Sequence, residues 1–253
     1  MTVYELRVND INYRIITNHG GLQKMTSLRN IILKEGFLGY TVALSVKEEC
    51  DVCLVGLYYD GKELYEPSHI DMLLGFFSFW HKVRGVPEAE LDLSINGSLY
   101  KSIGWFGSND MIGIKLDKCK QLYSYSVAFE DGVEIFVKEF FKPFSVKLIE
   151  CSSPESFDMA VLRQLRLSGK GDGFASAFSY KGSGVVTFVS SSHFLFDTDA
   201  AFAICSLLLY TKRIKAGERL KLCSGSRYML CSLCDGDAVD VFARCEYVTR
   251  KDF

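Results

Sequence analysis

The strongest constraint in this sequence is a helical segment with no polar side. Residues 67–83 read PSHIDMLLGFFSFWHKV, and Ile70, Met72, Leu73, Leu74, Phe76, Phe77, Phe79 and Trp80 fall on nearly every side of a helix. A helix that is apolar all round is a buried helix, so it needs a packing surface on every side. A strongly curved sheet wrapped around it supplies that surface. The design recurs. Residues 76–100, FFSFWHKVRGVPEAELDLSINGSLY, and 206–228, SLLLYTKRIKAGERLKLCSGSRY, each hold the end of an apolar helix, a basic turn, a Gly and a strand. Leu91/Leu220, Leu93/Leu222, Gly97/Gly225, Ser98/Ser226 and Tyr100/Tyr228 correspond, with one residue of slip. Two such units predict two similar domains that address a substrate from both sides of one cleft.

The coarse pattern supports this. Segments 3–8 and 12–17 alternate around Asn9-Asp10 as a hairpin. Segment 22–34 carries Leu22, Met25, Leu28, Ile31 and Ile32 on one helical face, closed by Gly36. Strands follow at 38–46 and 52–59, then the buried helix 67–83 with Pro67 in its first turn and Ser68 as cap, then strands 91–94, 98–104 and 111–116. The second half repeats the order: hairpin 124–129/134–138, strand 144–150, one helix over 152–167, strands 174–180 and 185–190, the buried helix 198–214, and strands 220–222, 227–233 and 238–247. The expected fold is α+β: two pseudo-symmetric domains, 1–120 and 121–244, each a curved mixed or antiparallel sheet around a central helix, with 245–253 a strand returning to the first.

Composition narrows the function class. A net charge of −2 with both signs mixed leaves no electrostatic footprint for nucleic acid or an anionic membrane. The apolar runs 72–80 and 200–210 are too short to span a bilayer, and the N-terminus alternates like a strand rather than a signal sequence. The nine Cys are odd in number and lack disulfide-framework spacing, which fits reduced thiols in the cytoplasm. Cys50-x-x-Cys53 and Cys231-x-x-Cys234 read as structural, with no metal site.

The layout and the segments before the two buried helices resemble the diaminopimelate epimerase-like superfamily. The run Leu57-Tyr58-Tyr59-Asp60-Gly61-Lys62-Glu63 matches its Asp-Gly-x-Glu motif ahead of the first core helix, and 220–248 resembles its closing hairpin. As topology the resemblance covers nearly the whole chain; as motif it covers short pieces. Members working through two thiols carry Cys-Gly-Asn and Cys-Gly-Thr-Gly at the helix starts. Here those positions fall at Pro67 and near Phe196, which excludes two-thiol racemase chemistry. The phenazine-biosynthesis isomerase branch is the nearer match. Glu63-Leu64-Tyr65-Glu66-Pro67-Ser68-His69 keeps the Glu and the His of its first motif six apart, and Phe196-Asp197-Thr198-Asp199-Ala200-Ala201-Phe202-Ala203-Ile204-Cys205 keeps the Asp, an Ala and the Cys of its second, without the motif glycines. The resemblance implies Glu63 as proton shuttle and Asp197 across the substrate from it.

Moving a proton at carbon without a cofactor needs an acid, a base and stabilisation of carbanionic charge; carboxylates or imidazoles near a helix N-terminus supply these. Glu63, Glu66, His69 and Asp71 stand at one helix start, and His193, Asp197 and Asp199 at the other. The plainer reading is that Asp197, Ser68 and Thr198 are helix caps, Glu66 and Asp71 dipole partners, Glu63 a solvated strand end and His81 a structural residue at a basic helix end. The residues assigned to the site are Glu63, Asp197, His69 and His193 as acid/base groups, and Ser68, Thr198, Asp199 and Tyr59 as substrate contacts. Three functions follow: a cofactor-independent isomerase, epimerase or racemase acting on an amino acid or small carboxylic acid; a lyase, cyclase or dehydratase on the same scaffold; or a ligand-binding protein without turnover. The expected partner is a small-molecule substrate, not nucleic acid or membrane, and sheet edges offer a homodimer contact.

Overall fold

The computed structural model describes residues 2–17, 25–47, 50–107, 109–129, 134–142, 144–167, 174–192, 197–234 and 238–252. They form β1 (Thr2–Val8), β2 (Ile11–Thr17), α1 (Met25–Glu35), β3 (Gly39–Lys47), β4 (Cys50–Tyr59), β5 (Leu64–Tyr65), α2 (His69–Arg84), β6 (Glu88–Ile95), β7 (Ser98–Phe106) and β8 (Met111–Asp117). These are followed by β9 (Tyr123–Ala128), β10 (Glu134–Phe140), β11 (Val146–Glu150), a 3-10 turn (Pro154–Ser156), α3 (Met159–Leu167), β12 (Phe174–Tyr180), β13 (Val185–Ser190), α4 (Thr198–Tyr210), β14 (Arg219–Ser224), β15 (Arg227–Leu233) and β16 (Ala238–Asp252). The chain divides into two compact units, Met1–Leu116 with Phe242–Phe253, and Asp117–Val241.

The class is α+β, and both units obey one connection rule. Parallel neighbours need a crossover, and each of the parallel pairs β2–β3, β4–β6, β11–β12 and β13–β14 is bridged by a helix: α1, α2, α3 and α4 in turn. In the first unit the strand order is β1-β2-β3-β4-β6-β7-β8-β16, and β16 pairs back onto β1 from Val8↔Cys245 to Thr2↔Asp252. The strands therefore close around α2, which is buried from 70 to 79. In the second unit the order is β9-β10-β11-β12-β13-β14-β15-β16, and α4, buried from 198 to 208, packs on β11, β12 and β15. The outer helices cover the other sheet faces. Leu28 and Ile32 of α1 pack with Val3, Ile16, Ala43 and Leu57, and Leu162 and Leu165 of α3 pack with Val137, Ile149, Ala175 and Ala177.

Turn chemistry fixes the register. Asn96 and Gly97 (φ 47° and 94°) connect Ile95 to its partner Ser98, the two-residue turn whose left-handed residues match strand twist. Gly225 (φ 57°) occupies the corresponding turn between Ser224 and Arg227, so the repeat in the sequence is one structural unit used twice.

Several boundaries differ from expectation. Pro67 precedes α2 instead of opening it, because Ser68 takes the cap position. The helix expected over 152–167 is broken: Phe157 is extended, and α3 restarts where the Oδ1 of Asp158 accepts the Ala160 N–H at 2.7 Å. α4 ends at Tyr210, with Lys212 left-handed at φ 55°. The last strand runs to Asp252, extended by its pairing with β1.

Candidate functional site

The start of α2 is built from a cap, a histidine and a buried acid. Ser68 is fully buried in extended backbone (φ −61°, ψ 132°), and its Oγ accepts the Asp71 N–H at 3.3 Å. Removing this cap in Ser68→Ala is expected to destabilise the chain by about 1 kcal/mol, read as a lower urea midpoint that Ser68→Thr largely restores. Asp71, 2% exposed, accepts the Tyr40 hydroxyl at 2.8 Å. Tyr40 stacks on Tyr13 at 5.0 Å and is tilted on Tyr58 at 4.9 Å. Burial, and then the charge of Asp71, push the Tyr13 hydroxyl well above its ordinary pKa. His69, first residue of the helix, holds its Nδ1 2.5 Å from the Tyr100 hydroxyl, with the rings edge-on at 5.5 Å. Tyr100 therefore sets the orientation of the imidazole.

Glu63 stands apart from this cluster. It closes the Asp60-Gly61 turn, where Asp60 Oδ1 accepts the N–H groups of Lys62 and Glu63 at 2.7 and 2.8 Å. Those two N–H groups hold the Asp60 carboxyl below its usual pKa. The Glu63 side chain is exposed, with its Oε2 3.3 Å from the Tyr65 hydroxyl, which also lies 3.1 Å from Asp60 Oδ2. Desolvation and these two carboxylates push Tyr65 up to about 12. Among the described residues Glu63 makes no hydrogen bond or ion pair with His69. Strand alternation also separates the two tyrosines: Tyr59 packs on the α1 side and donates its hydroxyl to Gly61 O at 2.9 Å, whereas Tyr58 meets Tyr40 on the α2 side.

The start of α4 presents a different acid. Asp197 is the cap (φ −93°, ψ 95°), 2% exposed; its Oδ1 accepts the Ala200 N–H at 2.9 Å and its Oδ2 the Ser190 hydroxyl at 2.5 Å. Burial first, and the neighbouring charge of Asp199 second, raise the carboxyl to about 6, against the hydrogen bonds from Ser190, Ala200 and Ser192. Thr198 and Asp199 are buried beside it. His193 lies outside the described residues. Cys119 and Cys231 are not poised as nucleophiles, since burial pushes Cys119 up to about 12 and raises Cys231 well above its ordinary value. Among the described residues no three or more His, Cys, Asp or Glu side chains are grouped to hold a metal ion, and no helix is long and apolar enough to cross a membrane.

Solved structures share this architecture end to end. A hydroxyproline epimerase from Agrobacterium vitis, with bound trans-4-hydroxy-L-proline, is similar at a TM-score of 0.60 and 11% identity, over 98% of this chain and 92% of its own. A phenazine biosynthesis protein of the PhzF family from Bacillus anthracis gives 0.61 and 11%, over 100% and 99%. A predicted epimerase from Pseudomonas aeruginosa gives 0.62 and 12%, over 100% and 99%. This chain has the diaminopimelate epimerase-like fold. No protein-family model matches it, and no curated protein is similar to it in sequence. At such identities the likeness is one of fold, so the residues at the two helix starts of this fold must be argued from their own chemistry.

Three contributors escaped the sequence reading. Tyr100 was visible as a member of the repeat, but nothing marked it as the partner of His69, 31 residues earlier. Ser190 and Tyr40 sit on strands as ordinary alternating residues, and only the fold brings them to Asp197 and Asp71.

Proposed function

We propose that the chain is a cofactor-independent isomerase or epimerase that moves a proton at carbon on an amino acid or small carboxylic acid. The observation that carries this reading is Asp197: a carboxyl raised to about 6 at a helix N-terminus, where it can give or take a proton near neutral pH. Ser190, half-buried and bonded to its Oδ2, is read as the group passing that proton outward. His69, oriented by Tyr100, supplies the acid/base group at α2, and Glu63, exposed on its turn, is the proton shuttle that the resemblance implies. Tyr58 suits contact near the α2 start better than Tyr59. Support also comes from solved proteins of this fold named as epimerases, one of them holding a hydroxylated proline. The free cysteines favour a reducing compartment, the cytoplasm.

The test is solvent-deuterium incorporation at the α-carbon of candidate amino and hydroxy acids, followed by mass spectrometry. The native chain is expected to exchange the α-proton of at least one of them, and Glu63→Gln and Asp197→Asn are each expected to abolish it. Full exchange in both variants would sink the assignment. Exchange accompanied by loss of water or ammonia would transfer the chain to the elimination reading, and binding without exchange to a ligand-binding role.

A further inference from the structure

The second unit carries a hollow of about 390 Å³ lined by Gln121, Tyr123, Tyr125, Glu139 and Phe141, away from the start of α4. β9 and β10 run antiparallel with Tyr123 opposite Glu139 and Tyr125 opposite Val137, so both tyrosines and the glutamate share one sheet face. Tyr123 and Phe141 meet edge to face at 5.2 Å and are 56% and 40% exposed, forming the rim. Glu139 is 5% exposed and lies at the floor.

The floor carboxylate is held closely at one oxygen and loosely at the other. Its Oε2 accepts the Tyr125 hydroxyl at 2.8 Å, and its Oε1 accepts the Ser145 hydroxyl at the long distance of 3.4 Å. Lys147, its neighbour on β11, is 1% exposed and holds its Nζ 3.9 Å from Oε1, and among the described residues that Nζ has no hydrogen-bond partner. A buried ion pair kept for stability would close that gap, because charges removed from water need short, well-aligned hydrogen bonds to offset desolvation. At 3.9 Å the lysine provides a counter-charge behind the carboxylate but leaves lone pairs open to a closer donor. Around that acceptor stand three aromatic rings, whose faces attract cations.

We propose that this hollow binds a small primary ammonium ion, its N–H groups donating to the Glu139 carboxylate and its alkyl carbons held among Tyr123, Tyr125 and Phe141. The reading is independent of the chemistry at the helix starts. The neutral alternative, an apolar alcohol settling on the rings, would need no carboxylate and would not discriminate by charge.

The experiment titrates n-butylammonium and, separately, 1-butanol into the full isotopically labelled chain and follows the backbone amide signals of β9 and β10. Saturable shifts confined to Tyr123, Tyr125, Glu139 and Phe141 are expected with n-butylammonium, and binding of 1-butanol about tenfold weaker or more. Glu139→Gln is expected to weaken ammonium binding about tenfold, and Tyr123→Ala about fivefold, magnitudes in keeping with one charge-assisted hydrogen bond and one cation–π contact. Because Glu139→Gln leaves Lys147 buried without its counter-charge, its fold is checked first by the amide spectrum; should it unfold, Tyr123→Ala and Phe141→Ala decide the matter. No saturable shift, equal affinity for the alcohol, or undiminished binding in the folded variants would overturn the proposal.

Discussion

Asp197→Asn is expected to be more stable than the native chain at about pH 8, by roughly 1–3 kcal/mol, and to lose that advantage near pH 4. Asp197 titrates at about 6 in the folded chain against an unperturbed 3.8. Below about pH 4 the carboxyl is protonated in both states and contributes no difference. Between about 4 and 6 the unfolded chain releases a proton that the folded chain keeps, so stability falls as pH rises, and above about 6 the loss is complete. A shift of this size corresponds to roughly 3 kcal/mol at about 1.4 kcal/mol per unit. Asn caps a helix as well as Asp does. Its oxygen can still accept the Ala200 N–H, and its amide can donate to Ser190 Oγ. Urea midpoints at the two pH values measure the difference. A native chain that is the more stable at pH 8 would show that the cap and the helix dipole outweigh desolvation, and would remove the physical ground for Asp197 as an acid near neutrality.

The same substitution separates structure from function. A residue retained only as a cap should be interchangeable with Asn in the exchange assay. A variant that is more stable yet unable to exchange the α-proton would mark Asp197 as a group kept ionisable against the interest of the fold.

What the sequence disclosed follows from locality. The two buried helices were legible because apolar residues on all sides leave a helix no other place. The hairpin at Asn9-Asp10 was legible because its turn residues tolerate the left-handed region. The order of strands and helices was legible, but which neighbours run parallel was not. What stayed hidden depends on contacts across the fold. Asp197 reads as a cap in sequence; its perturbation comes from burial and from Asp199 together. Lys147 is a polar position in a strand read from the sequence, and Glu139 fell just beyond the strand read over 134–138, yet both are buried on the face that α3 shares. The third helix was expected to open at 152, where Ser is an ordinary cap; the extended backbone at Phe157 moves its start to Asp158.

Gly104→Ala is expected to be among the most damaging single-methyl changes in the first unit. Gly104 lies on β7 between Ala89 of β6 and Ile114 of β8, and a Cβ there would stand 2.0 Å from Cδ1, 2.3 Å from Cγ and 2.4 Å from Cε1 of Phe77. Phe77 is 3% exposed, and its ring lies against Phe76 at 5.2 Å. The clash reaches the base of the ring, so rotating its far edge relieves nothing; α2 or β7 must shift. Overpacking of this kind destabilises by about 3 kcal/mol, or prevents folding. Gly56→Ala is the matched control. Its Cβ would also come close, 2.4 Å from Sδ and 2.7 Å from Cε of Met72, but these are the flexible end of a thioether that can turn away, and the expected loss is about 1 kcal/mol. Adding Phe77→Leu to Gly104→Ala should recover part of the loss, with the two changes coupled by at least about 1 kcal/mol in a double-mutant cycle. Equal stability of the two Gly variants would mean that the ring of Phe77 does not fix the distance between α2 and β7. The expected inequality instead ties a glycine in mid-strand to the helix that most constrains this sequence: α2 is apolar on all sides, and it can be enclosed only where the strands around it let its largest side chains reach the backbone.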